Sequence, residues 1–133
     1  MTITDCQLIE IPKVHDERGS LAVIEKSSIP FSIKRVYYLY DVPSDSYRGG
    51  HAHKVQESVV IALSGSFEVV LDDGKLKKSV VLNKPNQALF IPSGVWREIE
   101  NFSSGSVCLV IASTEFEEMD YIRNYEAFKL FKS

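Results

Sequence analysis

Residues 49–57 read Gly-Gly-His-Ala-His-Lys-Val-Gln-Glu, and residues 92–97 read Pro-Ser-Gly-Val-Trp-Arg. Successive side chains on a β-strand point to opposite faces, so His51 and His53 are predicted to lie on the same face of one strand. Several polar groups on a buried face cost desolvation energy unless they are used. The His-x-His pair is therefore predicted to belong to a functional site.

Short β-branched and aromatic runs separated by turn residues continue outward from these two segments. The candidate strands are residues 7–11, 20–25, 33–41, 57–63, 66–71, 77–82, 88–91, 95–100 and 107–112. Asp72-Asp73-Gly74 lies between two of these runs and predicts a hairpin, because Asp-Gly accepts the positive φ angles of tight turns. This density of strands favours an all-β barrel or sandwich.

The C-terminal residues have a different period. From about Met119 to Phe131 the β-branched runs stop, and Ile122, Tyr125 and Phe128 fall on helical spacing. We therefore expect a short C-terminal helix packed on the barrel.

Composition limits the classes of protein that the chain can represent. With 133 residues, 44% hydrophobic content and five prolines, residues 1–133 are expected to form one domain. The formal charge of -3 provides no broad basic field for nucleic acid or an acidic membrane, so an anionic ligand would need local arginines. Neither a signal peptide nor a run of about 20 apolar residues is present, which predicts a cytoplasmic protein. Cys6 and Cys108 are expected to be reduced thiols.

Strand alternation also indicates which other side chains share the interior with the histidines. Arg35 and Tyr37 are predicted to face one way and Tyr38 and Tyr40 the other. A small antiparallel barrel holds one ligand of modest size in its mouth.

Four further residues are candidates for the same site. Glu57 is interpreted as a supporting group that bonds a histidine or the backbone. For Trp96, stacking on a base or sugar and plain packing are equally favoured. The segment 16–20 reads as a polar turn before a strand, from which Arg18 could reach a site; Glu17 lies beside it.

Several motifs together carry a family resemblance. They are Arg-Val-Tyr-Tyr-Leu-Tyr at 35–40, Arg-Gly-Gly-His-Ala-His-Lys at 48–54, Ala-Leu-Ser-Gly-Ser-Phe at 62–67, Leu-Asp-Asp-Gly at 71–74, Ile-Pro at 91–92, Trp96, Asn-Phe-Ser at 101–103 and Asp-Tyr-Ile-Arg at 120–123. Over nearly its whole length the chain resembles the sugar 3,4-ketoisomerase family of WxcM-like cupins. The resemblance implies an RmlC-like jelly-roll barrel that acts on dTDP-4-keto-6-deoxy-D-glucose and moves the carbonyl from carbon 4 to carbon 3.

The resemblance also implies the biological setting. The product would feed a transaminase and then an acetyltransferase, on the way to a 3-amino-3,6-dideoxyhexose of bacterial surface polysaccharide such as O-antigen or S-layer glycan. Family members resemble one another in forming homodimers with exchanged N-terminal strands.

No cofactor is expected. Metal-binding cupins have a third histidine where this chain has Arg97. A guanidinium offers no lone pair to a metal, and its positive charge would repel one.

The residue chemistry is compatible with this isomerisation, which needs a base at carbon 3 and an acid at carbon 4. His51 is the first candidate for the base, since a histidine is suited to proton transfer near neutral pH. Tyr37 is the candidate donor to the enolate oxygen, and His53 either orients that pair or serves as the alternative acid. Arg97, together with Arg48 and Arg35, is a candidate for binding pyrophosphate or polarising the carbonyl.

Three alternatives and one stereochemical hypothesis remain. The alternatives are a metal-dependent cupin using His51, His53 and Glu57, a noncatalytic module that binds nucleotide sugars, and a 3,5-epimerase-like cupin. The family often has histidine in place of Arg97 and varies at Glu17. These two residues are hypothesised to select the face on which carbon 4 is reprotonated, and so the galacto or gluco configuration.

Overall fold

The computed structural model describes residues 1–133, which form twelve strands and one α-helix. The elements are β1 (Gln7–Glu10), β2 (Lys13–Asp16), β3 (Gly19–Ala22), β4 (Arg35–Leu39), β5 (Arg48–His53), β6 (Ser58–Ser64), β7 (Phe67–Asp72), β8 (Lys77–Leu82), β9 (Gln87–Ile91), β10 (Trp96–Glu100), β11 (Val107–Ala112), β12 (Tyr121–Ile122) and α1 (Tyr125–Lys132). None of the helices has the length and apolar character needed to cross a membrane.

Two five-stranded antiparallel sheets form the body of the molecule. Their strand orders are β1-β9-β6-β11-β4 and β12-β5-β10-β7-β8. Buried side chains from both sheets meet in one core, with Val60 and Leu89 from the first sheet against Phe67 and Leu71 from the second. The prediction of an all-β barrel with a short C-terminal helix is confirmed.

The outer face of each sheet is also covered, which explains why β6 reads as a continuous apolar run from Val59 to Leu63. Ile29, in the segment before β4, packs on Val59 and Ile61 of β6. On the second sheet, Phe128 of α1 packs on Trp96. A strand buried on both faces loses the alternation that marks a half-buried one.

The segment 16–20 is the turn of a hairpin rather than the approach to a single strand. β2 pairs with β3 alone, and all eight residues of the two strands are exposed. The sequence prediction missed β2, because its polar composition resembles that of a loop.

The C-terminal helix begins later than predicted. Residues Tyr121–Ile122 pair with β5, and the helix begins at Tyr125. The side chain of Asn124 accepts a hydrogen bond from the Ala127 N–H and caps the helix. Ile122 belongs to β12, and it is buried with Phe128 because β12 and α1 both pack on β5. Its helical spacing from Tyr125 and Phe128 was therefore coincidental.

The predicted hairpin between β7 and β8 is present. Its turn is longer than two residues, since the Asp73 N–H donates to the Leu76 carbonyl. Gly74 takes a φ of +92° in this turn, a region that favours glycine.

Candidate active site

A cavity of about 440 Å³ opens between the two sheets. Its walls come mainly from β4, β5 and β10, with further residues from the loop before β5 and from the segment that leads to α1. The lining residues are Arg35, Tyr37, Leu39, Tyr47, Arg48, Gly49, Gly50, His51, Val60, Arg97, Ile99, Val110, Tyr121 and Arg123. The volume suits a small ligand, for which protein cavities typically provide about 300–1,000 Å³.

The alternation predicted for β4 positions one wall. Arg35 and Tyr37 line the cavity, whereas Tyr38 and Tyr40 are exposed on the opposite face. The Arg35 guanidinium lies 4.5 Å from the centre of the Tyr37 ring and donates a hydrogen bond of 3.3 Å to the Tyr121 hydroxyl. Tyr37 is thereby held beneath a cation, facing the interior.

Two glycines form the entry to β5. Gly49 has a φ of +97°, and a Cβ atom there would lie 3.2 Å from the Arg97 carbonyl oxygen. The pairing of β5 with β10 is irregular at this point and places His51 directly opposite Arg97. Glycine therefore permits the close approach that brings the imidazole and the guanidinium together.

His51 and His53 form a buried pair. Their Nε2 atoms are 3.2 Å apart, and the two residues are 8% and 0% exposed. The Nδ1 atom of His51 donates to the Gly49 carbonyl, and that of His53 lies 2.9 Å from a carboxylate oxygen of Asp120. His51 lines the cavity, whereas His53 lies behind it.

Burial and the neighbouring arginines set the charge of these groups. Burial, followed by the Arg97 charge, lowers the pKa of His51 to about 3, and the same two causes lower that of His53 to about 2. Burial raises the pKa of Tyr37 above its usual value. At neutral pH the cavity therefore contains a neutral imidazole that accepts a proton and a phenol that donates one.

Arg97 contributes a buried positive charge. It is 3% exposed, and its Nε and Nη2 atoms donate to the Val95 carbonyl at 3.4 and 3.3 Å. No carboxylate forms an ion pair with it. A buried cation without a counterion favours an anionic ligand or an anionic intermediate in the cavity.

Trp96 and Glu57 were predicted for the site but do not line the cavity. Trp96 is 4% exposed and packs on Phe128, because its neighbour Arg97 takes the inward position on β10. Its indole N–H donates to Glu98, so the packing interpretation is the correct one. The Glu57 carboxylate bonds neither histidine; the carboxylate at His53 belongs to Asp120.

Glu17 and Arg18 also lie away from the cavity of this chain. They form the exposed turn of the β2–β3 hairpin, where Arg18 pairs with Asp16 at 2.7 Å. Neither residue is among those that line the cavity of this chain.

Several residues of the site were not predicted from the sequence. Tyr121 and Arg123 line the cavity, and Asp120 and Gln56 bond His53. For Asp120, Tyr121 and Arg123, the only signal in the sequence was the Asp-Tyr-Ile-Arg motif at 120–123. Gln56 carried no signal beyond its place in the opening segment.

The donor set does not fit a metal ion. No group of three or more His, Cys, Asp or Glu side chains is arranged to hold one. The Glu57 carboxylate bonds neither histidine, and the position opposite His51 is occupied by Arg97, which offers hydrogen-bond donors only.

Comparisons with known proteins agree with this architecture. The family model described as FdtA: WxcM-like, C-terminal, matches residues 4–133. The chain is 46% identical over 124 residues to TDP-4-oxo-6-deoxy-alpha-D-glucose-3,4-oxoisomerase of Aneurinibacillus thermoaerophilus, covering 92% of this chain and 89% of that protein.

Solved structures extend the likeness to three dimensions. A mutant of the 3,4-ketoisomerase from Thermoanaerobacterium thermosaccharolyticum, in complex with TDP-4-keto-6-deoxyglucose, has a TM-score of 0.94 and 41% identity, covering 96% of this chain and 94% of that one. The dTDP-4-dehydrorhamnose 3,5-epimerase from Bacillus anthracis has a TM-score of 0.79 at 15% identity, covering 91% of this chain and 79% of that one, and so shares the fold alone. The family match over residues 4–133, with the 46% identity, shows that the chain belongs to the family described as FdtA: WxcM-like, C-terminal.

Proposed function

We propose that this protein is a metal-independent sugar-nucleotide 3,4-ketoisomerase that converts dTDP-4-keto-6-deoxy-D-glucose to the 3-keto isomer. The observation that carries the proposal is a neutral, buried His51 set opposite the Arg97 cation, in a chain 46% identical to a TDP-4-oxo-6-deoxyglucose 3,4-oxoisomerase. The reaction moves hydrogen between adjacent carbons, so it needs an acid and a base but no electron acceptor.

His51 is the base in this mechanism. Its Nε2 atom takes the proton from carbon 3, and the electron pair of that C–H bond forms a double bond to carbon 4, leaving an enediolate with its charge on the carbon 4 oxygen. Arg97 stabilises this charge, and the Tyr37 phenol transfers its proton to the carbon 4 oxygen, which leaves Tyr37 as a phenolate. Tyr37 then accepts the proton of the carbon 3 hydroxyl, and return of the proton from His51 to carbon 4 completes the exchange.

Arginines around the cavity are proposed to hold the pyrophosphate. Arg48 and Arg123 line it and are exposed, so a ligand arriving from solvent can reach both guanidinium groups; that of Arg123 also pairs with Glu118 at 2.8 Å. Arg35 lies further in, on Tyr37. Planar guanidinium groups bind phosphate oxygens in pairs, which suits a nucleoside diphosphate sugar.

The functional unit is proposed to be a homodimer that exchanges its N-terminal segments. A two-stranded hairpin alone is at best marginally stable in water, yet β2 and β3 pair only with each other and expose Val14 and Leu21. A second copy would cover these apolar residues. We further propose that the dimer works in the cytoplasm, and that its product leads to a 3-amino-3,6-dideoxyhexose of a surface polysaccharide.

The test is incubation with dTDP-4-keto-6-deoxyglucose in deuterated water with a chelator present, followed by NMR of the sugar. A new 3-keto sugar supports isomerisation, and it carries deuterium at carbon 4 to the extent that the proton on His51 exchanges with solvent before its return. A sugar that stays 4-keto and gains deuterium at carbons 3 and 5 indicates a 3,5-epimerase instead. His51→Asn is expected to lower the rate by on the order of 10²–10⁴ with the fold retained. Normal turnover by that variant would assign the base elsewhere.

Arg97 is also proposed to influence the face on which carbon 4 is protonated, since it lies opposite His51. The Arg97→His variant should then yield the other configuration at carbon 4, measured from the proton couplings of the product. An unchanged configuration at a similar rate would remove this role. Glu17, on the distant hairpin turn, lacks such support within one chain.

A further inference from the structure

The two buried histidines carry their protons at defined positions. His51 Nδ1 faces the Gly49 carbonyl and His53 Nδ1 faces the Asp120 carboxylate at 2.9 Å. A carbonyl and an ionised carboxylate only accept hydrogen bonds, so each Nδ1 must carry a hydrogen. When neutral, both rings therefore keep a lone pair on Nε2, and these two atoms lie 3.2 Å apart.

A second residue favours the same tautomer of His53. The Thr114 hydroxyl donates to Gln56 Oε1 at 3.1 Å, which turns the Gln56 NH₂ group toward His53 Nε2 at 3.2 Å. Ser58 accepts the other hydrogen of this group. Because the NH₂ group is a donor, it too requires a lone pair on His53 Nε2.

Asp120 is firmly held in this arrangement. Its Oδ1 accepts from the Val55 N–H at 2.7 Å and its Oδ2 from the Gln56 N–H at 3.3 Å, and its side chain is 9% exposed. The charged groups that act on His53 in addition are the guanidinium groups of Arg97, Arg35 and Arg123. Burial, together with these cations, keeps both histidines neutral between turnovers.

We propose that Asp120 is a positioning residue for the isomerisation: it fixes the hydrogen of His53 on Nδ1, so that His53 Nε2 accepts a hydrogen bond from His51 once His51 has taken a proton. This inference rests on the proposed role of His51 as the base. The proton that leaves carbon 3 binds to His51 Nε2, the C–H electron pair forms the double bond of the enediolate, and the new Nε2–H donates to His53. Returning the proton to carbon 4 restores both lone pairs.

The test compares the wild type with Asp120→Asn by ¹⁵N NMR of histidine-labelled protein at neutral pH, and by steady-state kinetics. In the variant, the carboxamide oxygen keeps the shorter bond to Val55, so its NH₂ group faces His53 Nδ1 and moves the ring hydrogen to Nε2. His53 then donates to His51 and occupies its lone pair. We expect kcat to fall about 100-fold and KM to change less than about threefold.

Asp73→Asn is the matched control. Asp73 is also buried and accepts backbone N–H bonds, from Ile3, Lys75 and Leu76, but it touches no histidine. This variant should retain the wild-type tautomer and kcat.

Three results would overturn the proposal: hydrogen on Nε2 of His53 in the wild type, a tautomer shift in Asp120→Asn without loss of kcat, or loss of kcat without a tautomer shift. The wild-type spectrum decides the tautomer even if Asp120→Asn does not fold. It also requires no substrate, so failure of the proposed reaction would be recognised separately.

Discussion

At the scale of single residues, burial and the Arg97 charge fix the protonation of His51. Its pKa of about 3 leaves the imidazole neutral well below the range in which histidines ordinarily become charged. The cavity therefore supplies a base that acidic conditions do not switch off until far below neutral pH.

This charge state predicts a flat acid side of the pH profile. Between pH 7.5 and 5, kcat/KM should change by less than about twofold, whereas a base with the ordinary pKa near 6.5 would lose about 30-fold by pH 5. Removing the cation in Arg97→Met should raise the pKa of His51 and move the acid limb to higher pH, whatever the variant's overall rate. An acid limb near pH 6.5 in the wild type would contradict the assignment.

Strand alternation in the sequence correctly predicted which side chains share a face. It placed Tyr37 and Arg35 on one wall, and it kept His51 and His53 together. It gave no role to Asp120, the carboxylate at His53, and offered Glu57 as the supporting group for a histidine or the backbone. Asp120 is 67 residues away from His53 along the chain, and only the pairing of β12 with β5 brings the two together.

At the scale of secondary structure elements, two aromatic side chains attach the C-terminal helix to the barrel: Tyr125 packs on Trp96 and donates to Asp72, and Phe128 is the buried one. Phe128 is fully buried and its ring centre lies 5.6 Å from that of Trp96. β12 and Asp120 precede the helix directly, so anchoring α1 also secures the residue that bonds His53.

Phe128→Ala should lower the free energy of unfolding by about 3–5 kcal/mol, because it removes a buried aromatic ring and leaves a cavity. Urea denaturation measures this change. Leu130→Ala on the same helix is the control: Leu130 is 76% exposed, so its loss should cost no more than about 0.5 kcal/mol. Equal losses for the two variants would show that α1 does not dock through Phe128.

Element boundaries were predictable only where local chemistry sets them. The bounds of β8 and β11 were predicted without error, since turn residues flank runs of strand-forming residues. The helix start was placed about six residues early, because long-range pairing makes 121–122 a strand against its helical spacing. The β2–β3 hairpin has no apolar face toward its own chain, so no periodicity could reveal β2.

At the scale of the whole molecule, the buried histidines link stability to pH. The folded-state pKa values of His51 and His53 lie below the unfolded value of about 6.5. The unfolded chain therefore binds protons that the native protein does not, and this contribution to stability, complete above pH 6.5, is lost as the pH falls toward the folded values.

At pH 5 the free energy of unfolding is expected to be lower by about 2 kcal/mol for each of the two histidines. The free energy of unfolding of a typical protein is about 5–15 kcal/mol in total. Urea unfolding of the wild type and His53→Asn at pH 7 and 5 checks this. From pH 7 to pH 5, the free energy of unfolding of His53→Asn should fall by about 2 kcal/mol less than that of the wild type. His15→Asn, at an exposed site on β2, should keep the wild-type decrease, and an equal decrease in all three proteins would refute the linkage.

Assembly is the remaining property at this scale, and the exposed hairpin makes it testable. Val14 and Leu21 are cross-strand partners, 65% and 62% exposed, and a second copy is proposed to cover them. Sedimentation velocity should give the wild type twice the 15.0 kDa chain mass. Val14→Glu with Leu21→Glu should shift it toward the single-chain mass, because covering two carboxylates without partners costs several kcal/mol. Val81→Glu, at a 57% exposed site on β8, should stay dimeric. A wild type that sediments at the single-chain mass would leave the hairpin without its proposed partner.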